Sequence, residues 1–301
     1  MFVVRHRTFF FWFTGLLLVG SIAALIIIPP KLSIEFTGGS LIEVAYQGAR
    51  PGHADLVARV ASLPGEPSVR ESGDKGAIIR AHTLTPEQHD AVLAALSNNG
   101  ADPITELRSN SIGPSLGNEL ARKALYAIGA AILAIMLYIA FVFRKVSKPV
   151  PAWGYGITAV AMLAIDIIVP AGFFAVYAHF TGAQLDTLVV LALLTLLGYC
   201  INDVIVIFDR VREHLSRNEK TGTKQPFEEV IGRSITETLG RSINTALTVA
   251  LALLALILVG SATTRDFAIV MLVGVVAGTF SSICRSAPLL IPIAKLAERS
   301  R

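Results

Sequence analysis

Two aspartates lie inside long apolar runs, where a carboxylate is costly. Asp166 sits in AMLAIDIIVP and Asp203 in GYCINDVIVIFDR, with Asp209 and Arg210 closing the second run. An ionised group at bilayer depth needs a partner, a water-filled cavity or a neutralised state. The next basic residue able to reach the depth of Asp203 is Arg241, in GRSINTALT, where the chain re-enters an apolar run. If each lies about one and a half turns inside its helix, antiparallel neighbours bring the two charges face to face. Tyr199 at i−4 shares the face of Asp203, Asn202 adjoins it, and Asn244 and Thr248 extend the polar face of Arg241 at i+3 and i+7. A carboxylate beside a guanidinium stays ionised until the two separate, whereas a desolvated carboxylate alone takes up a proton. That contrast is the chemistry of a proton relay switched by helix movement. The same pair would also serve to hold two helices together. Asp166 has no obvious basic partner in the sequence; it reads as a second relay member, a hydrogen bond to a neighbouring helix, or a contact to another subunit. Asp266, beside Arg265, opens the last apolar run either as a helix N-cap or as an outer proton port.

Other chemistries lack their residues. No phosphate-binding loop, dinucleotide fingerprint or nucleophile elbow is present. His53, His82 and His89 have no ligand spacing, and Cys200 and Cys284 lie far apart in apolar surroundings. No metal, cofactor or enzymatic activity is expected. A protease built from Asp166 and Asp203 would need two carboxylates sharing a proton, and neither stands in a Gly-x-Gly-Asp context.

The elements that must hold these residues are membrane helices. Of 301 residues, 53% are apolar and 16% charged, with mean hydropathy +0.62, whereas a soluble domain carries about a quarter charged. A span needs about 20 apolar residues, and 8–28, 124–143, 153–177, 185–208, 242–259 and 267–293 satisfy that. The first ends in Ile26-Ile27-Ile28-Pro29-Pro30 rather than a small-residue cleavage site, so a retained anchor is expected. The basic flanks are Arg5 and Arg7; Arg144, Lys145 and Lys148; Arg210, Arg212, Arg217, Lys220, Lys224 and Arg233; and Lys295, Arg299 and Arg301. All fall on one side of a six-span chain, which makes both termini cytoplasmic and residues 31–123 extracytoplasmic. The formal charge of +4 thus follows topology and lipid, not nucleic acid. The divisions are 1–30 with span one, the outer domain 31–123, spans two to six over 124–293, and a tail 294–301.

Within 31–123 the period changes. Residues 39–46, 68–72, 77–81 and 104–108 read as strands, and 52–63 and 85–98 as helices, the second opened by a Thr85-Pro86-Gln88 capping box. The order β-α-β-β-α-β predicts a ferredoxin-like α+β domain. Residues 226–239 form an amphipathic segment suited to the cytoplasmic interface or to a partner. Gly274, Gly278, Ser281 and Ser282 give span six a small-residue face.

Several stretches carry a resemblance. Phe36-Thr37-Gly38-Gly39 follows span one, and Ile112-Gly113-Pro114-Ser115-Leu116-Gly117 precedes span two. GYCINDVIVIFDRVRE, RSINTALT and RDFAIVMLVGVVAGTFSSI lie in spans four to six. Over nearly its whole length the chain resembles the SecD/SecF family of protein-export membrane proteins. The resemblance implies a SecF-type six-helix half related to the resistance-nodulation-division (RND) transporters. It also implies SecD as partner and work beside the SecYEG channel of a prokaryotic inner membrane. There it would draw on protons to promote late steps of preprotein export. On the matching motifs Asp203 and Arg241 become the acidic and basic relay positions, with Asp209, Asp266 and Asp166 alongside; the glycine motifs mark a domain hinge. Cys200 and Cys284-Arg285 depart from the family pattern, and Arg285 at that depth calls for a carboxylate or a partner. The competing reading is half of an RND-type small-molecule exporter, for which a single outer domain is small.

Overall fold

The computed structural model describes residues 2–63, 67–143, 149–223 and 225–299. Arg144, Lys145, Lys148, Lys224 and Arg301, used above for orientation, lie outside the described residues. Helices α1 (Phe2–Arg5), α2 (Arg7–Ile27) and α3 (Ile34–Thr37) lead into an α+β domain. It comprises β1 (Gly39–Tyr46), α4 (His53–Val60), β2 (Ser68–Ser72), β3 (Gly76–Ala81), α5 (Pro86–Leu96) and β4 (Ile104–Ile112). Then follow α6 (Pro114–Val142), α7 (Ala152–Thr181), α8 (Thr187–Thr221), α9 (Phe227–Val259) and α10 (Ala262–Ser281). A π-helical turn over Ser282–Ser286 and α11 (Leu290–Arg299) complete the chain. Among the described residues six helical stretches are long and apolar enough to cross a membrane.

The domain's sheet has strand order β2-β3-β1-β4, every pairing antiparallel. Ile42, Val44 and Tyr46 of β1 and Ala77 and Ile79 of β3 meet Leu56 and Val60 of α4 and Val92 and Leu96 of α5, so both helices cover one face. Thr85 and Gln88 form the expected reciprocal cap. The last strand runs to Ile112, longer than its apolar pattern suggested, because β1 pairs with it along its whole length. Ile78 and Arg80, alternating with the core residues of β3, lie on the other face, which is also buried.

Two helices of the bundle differ in extent from the apolar runs. The amphipathic segment 226–239 is continuous with span five: α9 runs unbroken from Phe227, and Val230, Ile231 and Ile235 are buried in the core shared with α7 and α8. Helix α8 has 35 residues, about 52 Å at 1.5 Å per residue, so it overshoots a hydrocarbon layer of about 30 Å and gives that segment something to pack on. Span six is not one continuous helix, because the π turn interrupts it. Its small-residue face does allow close approach. A Cβ added at Gly274 would overlap Leu196, and one at Gly278 would overlap the Cys200 sulfur, which is why α8 and α10 pack so closely.

Candidate functional site

Asp203 faces the interior of the bundle and is 5% exposed. The Ser282 hydroxyl lies 3.5 Å from its Oδ2, while the shorter bond of that hydroxyl, 3.0 Å, goes to the Thr279 carbonyl. The acid is thus buried with only weak support. The expected pairing with Arg241 is not made. Arg241 is exposed and lines a cavity of about 270 Å³ with Val206, Asp209, Glu213 and Thr238. The residue of α9 that turns inward is its neighbour Ser242, 1% exposed. One residue is about 100° of helix rotation, which turns Arg241 off the face that buries Ser242. Asn202, Asn244 and Thr248 are exposed as well, and Arg241, Asn244 and Thr248 make an exposed polar stripe along α9. Tyr199 on α8 and Thr279 on α10 bury hydroxyls with no hydrogen-bond partner among the described residues.

Asp166 has the partner its sequence context did not reveal. Arg285, on the π turn, places Nη2 3.7 Å from Asp166 Oδ1, and the side chains are 5% and 3% exposed. Asp166 Oδ2 and Arg285 Nε and Nη1 have no protein partner among the described residues. The pair is therefore loose, with polar atoms free to hold water. Asp209, by contrast, is exposed and joined to Arg212 at 2.7 Å on its own helix. Beyond it, Glu237 gathers His214 at 3.0 Å, Arg233 at 2.9 Å and Arg210 at 3.5 Å.

At the other end of the bundle Asp266 is not an N-cap: Ser261 occupies that position. Arg70 of β2 instead donates to both Asp266 oxygens, at 2.6 and 3.0 Å, and the Tyr177 hydroxyl donates to Oδ1 at 2.8 Å. Burial opposes the Arg70 charge, and the bidentate carboxylate overrides that, holding the guanidinium above its usual range. A strand residue, invisible to a search for chemistry inside the spans, is the partner.

The two glycine motifs interlock. Gly38 has φ +79°, and a Cβ there would come 2.7 Å from the Pro114 Cα; a Cβ at Gly117 would come 2.7 Å from the Gly38 nitrogen. Phe36 is buried beneath this joint, Thr37 closes α3, Gly39 begins β1, and Gly113 with Pro114 opens α6.

Residues 92–296 match the family model for the protein export membrane protein SecD/SecF, C-terminal region, and residues 23–49 match the SecD/SecF GG motif. The protein translocase subunit SecF of Anaerolinea thermophila is 35% identical over 96% of this chain and 92% of its own length. The SecDF of Bacillus subtilis is 32% identical over 92% of this chain and 36% of its own. The crystal structure of SecDF from Thermus thermophilus superposes with a TM-score of 0.82 at 28% identity, over 99% of this chain and 38% of that one. From its motifs, its six apolar helices and these likenesses together, the chain belongs to the SecD/SecF family of protein-export membrane proteins.

Proposed function

We propose that this chain is the SecF-type half of a SecDF unit, which draws on the proton gradient to promote late steps of preprotein movement through SecYEG. The observation that supports this most is a relay left half-built. Asp203 is buried with no ion pair among the described residues, while Arg241 stands exposed one helix face away with Asn202, Asn244 and Thr248. A polar face in lipid needs a second membrane chain, and SecD is the partner its relatives suggest. Protons are the coupling ion, with no cofactor and no enzymatic step. Basic flanks put both termini in the cytoplasm and the ferredoxin-like domain outside, where it meets an emerging preprotein.

Export of a secreted reporter in cells carrying Asp203→Asn tests the proposal, with membrane level and co-purification with SecD measured alongside. A normally assembled variant that fails in export, matched by the same failure in Arg241→Met, is the expected result. Unchanged export would overturn the role of Asp203 and turn attention to Asp209, Asp166 and Asp266.

A further inference from the structure

Where α2 and α7 end, beneath the outer sheet, lies a cavity of about 340 Å³. Its walls are apolar on the bundle side, from Ile28, Pro30 and Ala178, and cationic elsewhere, from Lys31, Arg70 and Arg80. Arg70 is neutralised by Asp266. Arg80 makes no such direct bond: it is 7% exposed, its Nε has no partner, and no ion pair reaches its guanidinium among the described residues. The carboxylates around it are engaged elsewhere. Glu35 accepts from the Thr187 N–H at 2.6 Å, Asp186 from the Val189 N–H at 2.9 Å, and Asp266 from Arg70 and Tyr177. A buried guanidinium with free donors at the edge of a cavity calls for an anion.

We propose that this cavity binds the phosphate of an anionic phospholipid headgroup, held by Arg80 and Lys31. Helix α2 has 21 residues, about 32 Å at 1.5 Å per residue, so its end at Ile27 lies near the level where a span leaves the hydrocarbon, and a lipid phosphate reaches this depth while its acyl chains stay along α2 and α7. The apolar wall faces the glycerol side, and the two cations face the phosphodiester.

The full chain, purified in non-ionic detergent, is titrated with phosphatidylglycerol, with phosphatidylcholine and with inorganic phosphate, and bound lipid is counted by native mass spectrometry. Phosphatidylglycerol should bind in preference to phosphatidylcholine. Arg80→Gln should lower that affinity by about tenfold, and Lys31→Gln should lower it too and so carry the test if Arg80→Gln folds poorly. Lys220→Gln, at the far end of α8, should leave it unchanged. Binding of phosphatidylglycerol undiminished in both Arg80→Gln and Lys31→Gln overturns the site. Displacement of the lipid by inorganic phosphate overturns the lipid assignment in favour of a free-anion site.

Discussion

Asp186 shows how one side chain can be asked to do two opposed things. It caps α8 through the Val189 N–H, which favours its charge, yet it is 5% exposed and sits near Glu35 and Asp266. Burial chiefly, then those carboxylates, push its pKa up to about 6, against the Val189 bond and Arg80. A carboxyl whose folded pKa is raised binds its proton more tightly in the folded than in the unfolded chain. Its cost is therefore absent below the ordinary value near pH 4, grows as pH rises, and is complete above about pH 6. Asp186→Asn keeps a capping oxygen and removes the charge. It should stabilise the detergent-solubilised chain by about 2 kcal/mol at pH 7.5 and by little at pH 4.5, read as thermal unfolding at the two pH values. A variant that melts lower than the parent at pH 7.5 would show that the cap needs the charge. Asp166 and Arg285 differ in kind, since each supplies the charge that makes the other tolerable at that depth.

Elements announced themselves in the sequence to the extent that their signals were local. The Thr85 cap, the alternation of β1 and the apolar lengths of the spans depend on neighbours in the chain, and the structure has them all. The face that α9 turns inward depends on what packs against it, so Ser242 rather than Arg241 is buried. A run reading as one span turns π-helical over Ser282–Ser286, the turn that carries Arg285 to within 3.7 Å of Asp166. The joint between α3 and α6 was legible as glycines and a proline, but its tightness was not. Gly38, at φ +79° and ψ 162°, occupies a region that essentially only glycine adopts, and Pro114 fills the space a Cβ would need. Gly38→Ala should cost about 1–3 kcal/mol of stability. Gly240→Ala, in α9 with open space around it, should be neutral or slightly stabilising. Equal melting temperatures for the two variants would mean that the joint has slack.

At the scale of the molecule, the α+β domain is held to the ends of the spans by few bonds among the described residues. Backbone bonds of 2.8 Å join Ser33 to Leu185 and Leu185 to Lys31, and Glu35 reaches the start of α8. The one tie that carries charge from the sheet into the bundle, among the described residues, is Arg70 to Asp266 with Tyr177 beside it. It links the domain to α10, the helix that leads through Gly278 and Ser282 to Asp203 and Arg285. Discharging Asp266 would leave a buried guanidinium without its anion, and the strand bearing it should then loosen from the spans. Asp266→Asn is accordingly expected to speed amide hydrogen exchange in β2 and β3, leave the buried half of α8 unchanged, and reduce reporter export. Exchange in β2 and β3 as slow as in the parent chain would mean that the bridge merely rests on the domain. The coupling proposed between the membrane acids and the sheet would then have to run through the Gly38–Pro114 joint instead.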